Sequence, residues 1–450
     1  MLGLFAKVRA GEGIIAVLMV VNVFLILNAY YILKTVREGL IIGEGGMFGV
    51  SGAELKIYAS AGMALLLVGV VPAYGALASK VDRLRLLTIS GVLVIACIAG
   101  FIVLGAMGVP LALAFFLWLG IVSVFLIAQF WSYANDIYTE EQGKRLFAII
   151  ALGGSFGAIF GPMVAEVGKE HTFVLMAVAA AVLGVCLLLY RAVNRLVRRQ
   201  GEADGARRDD ADEPLSKEGG FTLVFRQRYL LLIALMLLIA NLVNTTGEFI
   251  LTAAVESHAA EVVPAGAFPE IENEAARQAE IEAARRSVGT GFFGSFFSIV
   301  NLVGFLIQAF LVSRIFKYLG VRVALFFLPV IAFGSYALIG LIGGLTLLRV
   351  AKTAENSTDY SLQNTVRQAL FLPTSREVKY KAKAAIDTFF VRLGDSIAAA
   401  VVALGTHALS LSPRAFAFGN VALSAVWIVL VVAIAKRHKE LSPDATAAGT

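Results

Sequence analysis

The sequence predicts an all-α polytopic membrane protein, with about twelve transmembrane helices arranged as two six-helix bundles. Three observations predict it. Hydrophobic residues make up 59% of the 450 and charged residues only 16%, far fewer charges than a soluble chain of this length carries. Apolar runs of about 20 residues, enough to cross a hydrocarbon core, recur along the whole chain. A polar, charge-mixed stretch follows the sixth run and divides the chain in half.

The elements follow in order. The first apolar run, near 13–33, ends in Lys34, Arg37 and Glu38 with no small-x-small site after it, so it reads as a span and not as a cleaved signal. Further runs lie near 56–78, 86–107, 110–132, 146–167 and 172–192. The fourth closes on Gln129, Ser132, Tyr133, Asn135 and Asp136. The fifth carries Gly153, Gly154, Gly157, Gly161 and Pro162, small residues at the steps of three and four that let helices cross closely. Residues 1–192 are thus expected to form the first bundle and 193–221 a flexible linker. The second bundle is expected over 222–437, with 255–288 outside the membrane as a helix or hairpin and 438–450 as a tail. Its apolar runs lie near 229–253, 291–316, 321–344 and 413–435. Two more spans, near 345–372 and 383–407, are disguised by polar residues.

Basic residues concentrate in alternate loops: Lys7 and Arg9, then Lys80, Arg83 and Arg85, then Lys144 and Arg145, then Arg191 to Arg208, then Arg314, Lys317 and Arg322, and finally Lys436, Arg437 and Lys439. Read by the excess of Lys and Arg on cytoplasmic loops, this places both termini and the linker in the cytoplasm, in a bacterial inner membrane. The net charge of +6 is therefore a topology signal and implies no nucleic-acid partner. Cys97 and Cys186 both sit inside apolar runs, and the four histidines are scattered. No disulfide framework, metal set or nucleophile–base pair emerges, so neither an enzyme nor a resident cofactor is expected.

The disguised tenth span carries the chemistry. Arg349, Lys352, Asn356, Asp359, Tyr360, Gln363 and Arg367 recur at steps of three and four residues, which lines them along one helical face. A charge at mid-bilayer costs about 2.5–3.5 kcal/mol on insertion scales, so such a stripe is expected to face a hydrated cavity or partners. Span 7 adds Asn241, Asn244, Thr245 and Glu248 on one face. Span 8 adds Ser298, Asn301 and Gln308, which read as interhelical hydrogen-bonders. The eleventh span is entered through Glu377, Lys379, Lys381 and Lys383 and carries Asp387, Arg392 and Asp395.

Several of these segments resemble known transporters. Gly75-x-Leu77-Ala78-Ser79-Lys80-x-Asp82-Arg83-x-Arg85 looks like the loop signature of the major facilitator superfamily, with Ser79 and Leu84 departing from it. Pro373 through Glu377, Lys379, Lys381, Lys383, Ala384, Ala385, Ile386 and Asp387 resembles a segment of the ATP/ADP translocase family of intracellular bacteria and plastids. So do Leu33-Lys34 with Arg37-Glu38, Phe130-Trp131 with Ala134-Asn135-Asp136, Lys144-Arg145, and Asn241-Leu242-Val243. The resemblance implies a major-facilitator-like carrier that exchanges nucleotides across a membrane, with charged residues of spans 1, 4, 7 and 11 at work. Asn244 stands where that family has a glutamate, and Asp395 where it has a lysine.

The expected function is transport of nucleotides or related phosphorylated anions by alternating access, by a monomer whose partners are the solute and the bilayer. Expected substrate contacts are Lys34, Arg37, Asn135, Arg349, Lys352, Asn356, Tyr360, Gln363, Arg367, Lys381 and Arg392. Expected ion-pair or coupling groups are Glu38, Asp136, Glu248, Asp359, Asp387 and Asp395. Two other readings fit the same residues. One is proton-coupled transport of a non-nucleotide solute; the other is a membrane scaffold or sensor that moves nothing.

Overall fold

The structure is a computed structural model that describes residues 12–46, 49–78, 83–201, 220–374, 378 and 382–441. Lys381 lies outside the described residues, as do Glu377, Lys379, Ser79, Lys80, Asp82 and most of the 193–221 stretch. Among the described residues there are helices and turns and no strand.

Helices α1 (Glu12–Gly43), α2 (Gly52–Ala78), α3 (Arg83–Ala106), α4 (Ala112–Ile137), α5 (Glu140–Val167) and α6 (Thr172–Gly201) cover the first six expected spans. After the short α7 (Gly220–Arg226) come α8 (Arg228–Val262) and α9 (Glu274–Leu306). A π-helical turn, Ile307–Leu311, continues α9 into α10 (Val312–Tyr318), and α11 (Gly320–Ala324) leads into α12 (Phe327–Leu341). The polar tenth span is α13 (Leu345–Thr358), a π-helical turn Asp359–Gln363, and α14 (Asn364–Leu370). The eleventh is α15 (Lys383–Ala385), a π turn Ile386–Phe390, α16 (Val391–Ala403) and a further π turn Leu404–Ala408; α17 (Pro413–Leu441) closes the chain. Nine helical runs among the described residues are long and apolar enough to cross a membrane. With α2, α13–α14 and α15–α16 the architecture matches the expected count of about twelve. Large apolar side chains such as Leu65, Leu93, Leu188 and Val429 stand exposed, as on a surface that meets lipid rather than water.

By contact density the chain divides into two compact units. One comprises Met1–Phe48, Leu65–Asp210 and Ala259–Asn301; the other Gly49–Ala64, Ala211–His258 and Leu302–Thr450. Three of the boundaries fall inside helices, in α2, α8 and α9.

In the first unit α1 is the central helix, packed on α4, α5 and α6. Its contact with α5 follows from sequence: a Cβ at Gly153, Gly157 or Gly161 would strike the backbone carbonyl oxygens of Val20, Phe24 and Asn28 in turn. Three glycines four residues apart thus meet three consecutive turns of α1, the close approach that drives helix association where the solvent is lipid. Asn301 donates to Ala158 O at 2.7 Å and accepts from Tyr31 at 3.3 Å, and Ser298 reaches Ile159 O at 3.3 Å, so the polar residues of span 8 are interhelical fasteners. Glu44, just past α1, accepts the Leu111 and Ala112 amides at 2.6 and 2.7 Å, capping α4 from another segment, and Arg286 at 3.4 Å. Burial raises the Glu44 carboxyl above its ordinary range despite those donors.

In the second unit the first turn of α2 is fastened twice. Glu256 of α8 accepts the Gly52 and Ala53 amides at 2.9 and 3.2 Å, satisfying orphan donors of the helix start. Glu54 accepts Ser51 N and Oγ, both at 3.0 Å, on one oxygen, and Thr406 Oγ1 at 3.0 Å and His407 Nε2 at 2.9 Å on the other. Burial pushes the Glu54 carboxyl up, but the Ser51 and Thr406 donors and His407 outweigh it and hold it below the usual range.

Two predictions follow from this packing. Gly157→Val drives a branched side chain into the α1 backbone, so the variant should lose the monodisperse peak of the solubilised protein in fluorescence-detected size exclusion; wild-type elution would show the contact is dispensable. For Glu54, a depressed carboxyl contributes stability that is present above its unfolded pKa and lost as pH falls through the folded one. Melting curves of Glu54→Gln should therefore lie below wild type at pH 7.5, with the gap narrowing progressively as the pH is lowered below the ordinary carboxylate range. A gap of constant size would contradict the assignment.

Candidate functional site

The polar face of α13 turns inward within the second unit. Lys352 is fully buried, and Glu355, Asn356, Ser361 and Gln363 are nearly so, whereas Val350 and Tyr360 stand outward. Around Lys352 four helices assemble a charge cluster. Glu248 on α8 accepts Lys56 of α2 at 3.2 Å, Lys352 of α13 at 3.5 Å and Asn356 Nδ2 at 3.3 Å. Lys352 also lies 3.2 Å from Glu355, one turn on, and donates to Asn244 Oδ1 at 3.2 Å. The Tyr336 hydroxyl of α12 donates to Glu355 at 2.8 Å, and Lys56 donates to Thr252 at 3.2 Å. Gly247 makes this possible, because a Cβ there would collide with the Tyr336 hydroxyl and lie 3.1 Å from the Lys352 ammonium.

Two ammonium groups face two carboxylates, so the cluster is formally neutral. That is the arrangement a low-dielectric interior requires, since an isolated buried charge is far more costly than a paired one. The Glu248 carboxylate is shared between cations on two helices. An incoming anion that took its place would find two ammonium groups already positioned, with short charge-assisted bonds to offer.

Beside the cluster lies a cavity of about 70 Å³. Asn241, Asn244, Glu355, Asp359, Gln363 and Arg367 supply its polar wall, and Leu237, Leu328, Val391 and Trp427 part of its apolar wall. Asp359 and Gln363 bound a π-helical turn, and π turns inside α-helices often mark functional sites. Arg367 donates to Asn364 Oδ1 at 3.3 Å. Below it, Asp395 is sealed by Asn241 Nδ2 at 2.7 Å, Thr245 Oγ1 at 2.9 Å and Arg392 at 3.3 Å. Asp387 pairs with Lys383 at 3.4 Å.

The remaining expected residues occupy other surroundings. In the first unit Lys34 sits over the Phe297 ring at 4.3 Å and the Tyr31 ring at 5.1 Å, and Arg37 over the Phe116 ring at 4.4 Å while its guanidinium binds the buried Glu38. Asn135 and Asp136 are exposed at the end of α4, and Arg349 is half-buried one turn before Lys352. The sequence pattern assigned no site role to Lys56, Glu355, Tyr336 or Trp427, although Glu355 stands out among the polar residues of the tenth span. Glu355 was legible, being three residues after Lys352 on the same helix and hence its natural ion-pair partner. Lys56 was hidden as an apparent flank of span 2, although a lone Glu248 in span 7 demanded a counter-charge from somewhere.

A family model described as TLC ATP/ADP transporter matches residues 112–439 of this sequence. The chain is 23% identical to ADP,ATP carrier protein 1 of Chlamydia muridarum over 316 residues, covering 61% of this chain and 54% of that protein. Its identity to the protein of the same name in Chlamydia trachomatis is 24% over 316 residues, with the same coverage. The chain therefore spans about half the length of the curated relatives it matches. Among solved structures, a POT family transporter in complex with 5-aminolevulinic acid superposes with a TM-score of 0.63 at 14% identity, covering 94% of this chain and 96% of that one. The nucleoside transporter NupG gives 0.59 at 16% identity with 93% and 98% covered, and a bacterial homologue of the iron transporter ferroportin 0.62 at 12% with 94% and 98%. At these identities the likeness is one of fold.

The charge cluster makes a stability prediction. Removing one member of a buried pair strands its partner, at a cost of about 3–5 kcal/mol. Lys352→Met alone should thus lower the melting temperature more than the double substitution Lys352→Met with Glu355→Gln. Additive losses in the double-mutant cycle would mean that the pair is uncoupled.

Proposed function

This chain belongs to the TLC ATP/ADP transporter family, and from that premise we propose that it moves nucleotides or closely related phosphorylated anions across a bacterial membrane by alternating access. The observation that carries the reading is the buried, charge-balanced stripe of α13, with Lys352 fully enclosed and Glu248 held between two ammonium groups. Intramembrane ionisable groups are rare, pair with one another or face a hydrated cavity, and mark solute paths.

Arg349 and Lys352 are the anion contacts we assign on α13, with Lys56 beside them. In the first unit, Lys34 and Arg37 are the cations we assign to the same task, each already held against an aromatic face. Glu248 and Glu355 hold the α13 and α2 ammonium groups when no solute is bound. A phosphate that replaces Glu248 gains several charge-assisted contacts at once, which is how a desolvated polyanion is compensated. Counter-exchange of one nucleotide for another fits this scheme, because the cations then always keep a partner. We further propose that the protein is a carrier and not an enzyme, works as a monomer in the inner membrane, and keeps both termini in the cytoplasm, where its basic loops favour them.

The test is uptake of labelled ATP by proteoliposomes preloaded with ADP. Wild-type protein should exchange the two; Arg349→Ala and Lys34→Ala should lose at least about nine-tenths of that uptake, roughly 1.4 kcal/mol per tenfold change, with reconstitution efficiency intact. Unimpaired uptake by both variants would remove these residues from the path, and no nucleotide uptake by the wild type would overturn the reading.

A further inference from the structure

We infer that the cavity of the second unit is a nucleobase pocket, selective for a base that bears an exocyclic amino group. This rests on the nucleotide reading above and names which part of the solute this cavity takes.

The first ground is an unmet hydrogen-bonding capacity. Gln363 is 4% exposed and lines the cavity, yet neither its amide nitrogen nor its amide oxygen has a hydrogen-bond partner among the described residues. Buried polar groups are normally satisfied, so an amide left open on both sides is poised for a ligand that offers an acceptor and a donor together. Arg367 Nε and the Trp427 indole N–H are likewise buried and without acceptors, and both residues line the same space. Other buried polar atoms of the unit also lack partners, on Tyr58, Asp387, Ser424 and His438, but those of Gln363, Arg367 and Trp427 belong to residues that line one cavity.

The second ground is shape and wall chemistry. Leu237, Leu328, Val391 and the Trp427 ring give apolar faces, while the directional groups are few. Flat apolar walls with a handful of polar atoms are what a heteroaromatic ligand needs. A cavity of about 70 Å³ holds about five water positions at 10–15 Å³ each, equivalent to about 150 Å³ of liquid water. That suits a bicyclic base and is too small for a whole nucleotide.

The third ground is charge. Glu355 and Asp359 both border the cavity against the single guanidinium of Arg367, so a polyphosphate would meet more negative than positive charge there. A carboxylate can only accept, and Asp359 has no hydrogen bond or ion pair among the described residues, which leaves it to take an amino N–H. An amide beside it can pair in the two-point fashion by which Gln reads adenine. The cationic end of the stripe is separate: Lys352 precedes Asp359 by seven residues, about 10 Å along the helix. That separation is comparable with the reach from a base across its ribose to the phosphates.

The experiment uses the purified full chain in detergent and measures displacement of labelled ATP by ATP, ITP, adenosine, inosine and tripolyphosphate. Inosine compounds replace the 6-amino donor with an oxo acceptor and turn N1 from an acceptor into an N–H donor, at nearly the same size and shape. Wild-type protein should prefer ATP to ITP, and adenosine to inosine, by at least about tenfold. In Gln363→Leu and Asp359→Ala the ATP-to-ITP ratio should fall toward one, with tripolyphosphate displacement unchanged. Equal affinity of the wild type for ATP and ITP overturns the pocket without any variant being needed. Intact discrimination in both variants also overturns it while leaving nucleotide transport standing. Failure of every nucleotide and nucleoside to bind overturns the pocket and the transport reading together.

Discussion

A charge enclosed by hydrocarbon has to be matched, and in this protein the matching falls on Glu248. Two ammonium groups, one from α2 and one from α13, lie at 3.2 and 3.5 Å from the same carboxylate. Glu355 completes the balance and Tyr336 orients it, so the group is neutral and each member is engaged. The arrangement explains why a helix with so many polar and charged positions turned inward can exist here at all. It also explains why Gly247 stands where it does, since any side chain would occupy the space that the Lys352 ammonium and the Tyr336 hydroxyl use.

The rest of the fold supplies rigidity around that cluster by the means available in lipid. Association there relies on close packing and interhelical hydrogen bonds because lipid removes the usual hydrophobic drive. The glycines of α5 meet successive turns of α1 at backbone distance, and Asn301 and Ser298 fasten α9 to α5 through carbonyl oxygens. The second unit is built differently. π-helical turns interrupt its helices, and one of them carries Asp359 and Gln363 at its ends. An inserted residue resets the direction of the following side chains, so the π turn of the tenth span is where the polar stripe changes from a cationic part to one that borders the cavity.

On the proposed nucleotide reading, labour is divided along one helix. Ammonium and guanidinium groups at the start of α13 suit phosphate, while the open amide and lone carboxylate two turns later suit a base. A carrier that grips both ends of a nucleotide can tell it from inorganic phosphate and from a bare nucleoside, because neither ligand satisfies both sets of contacts.

Much of this was legible without coordinates. Apolar runs of membrane length, the polar face of the tenth span and the small-residue steps of span 5 are local patterns, and helical periodicity carries them directly into structure. Glu355 beside Lys352 was equally local. What the chain order hides is which distant groups meet. Lys56 and Glu248 are 192 residues apart, and nothing in either neighbourhood identifies the other. Trp427 looked like one more apolar residue of the last span until it stood against the cavity. Sequence alone determined that this chain crosses a membrane many times and which helix faces bear charge, because those properties depend on spacing along one helix. Only tertiary structure decided how the charges are paired and which polar groups are left open, because both depend on helices that approach one another from far apart in the chain.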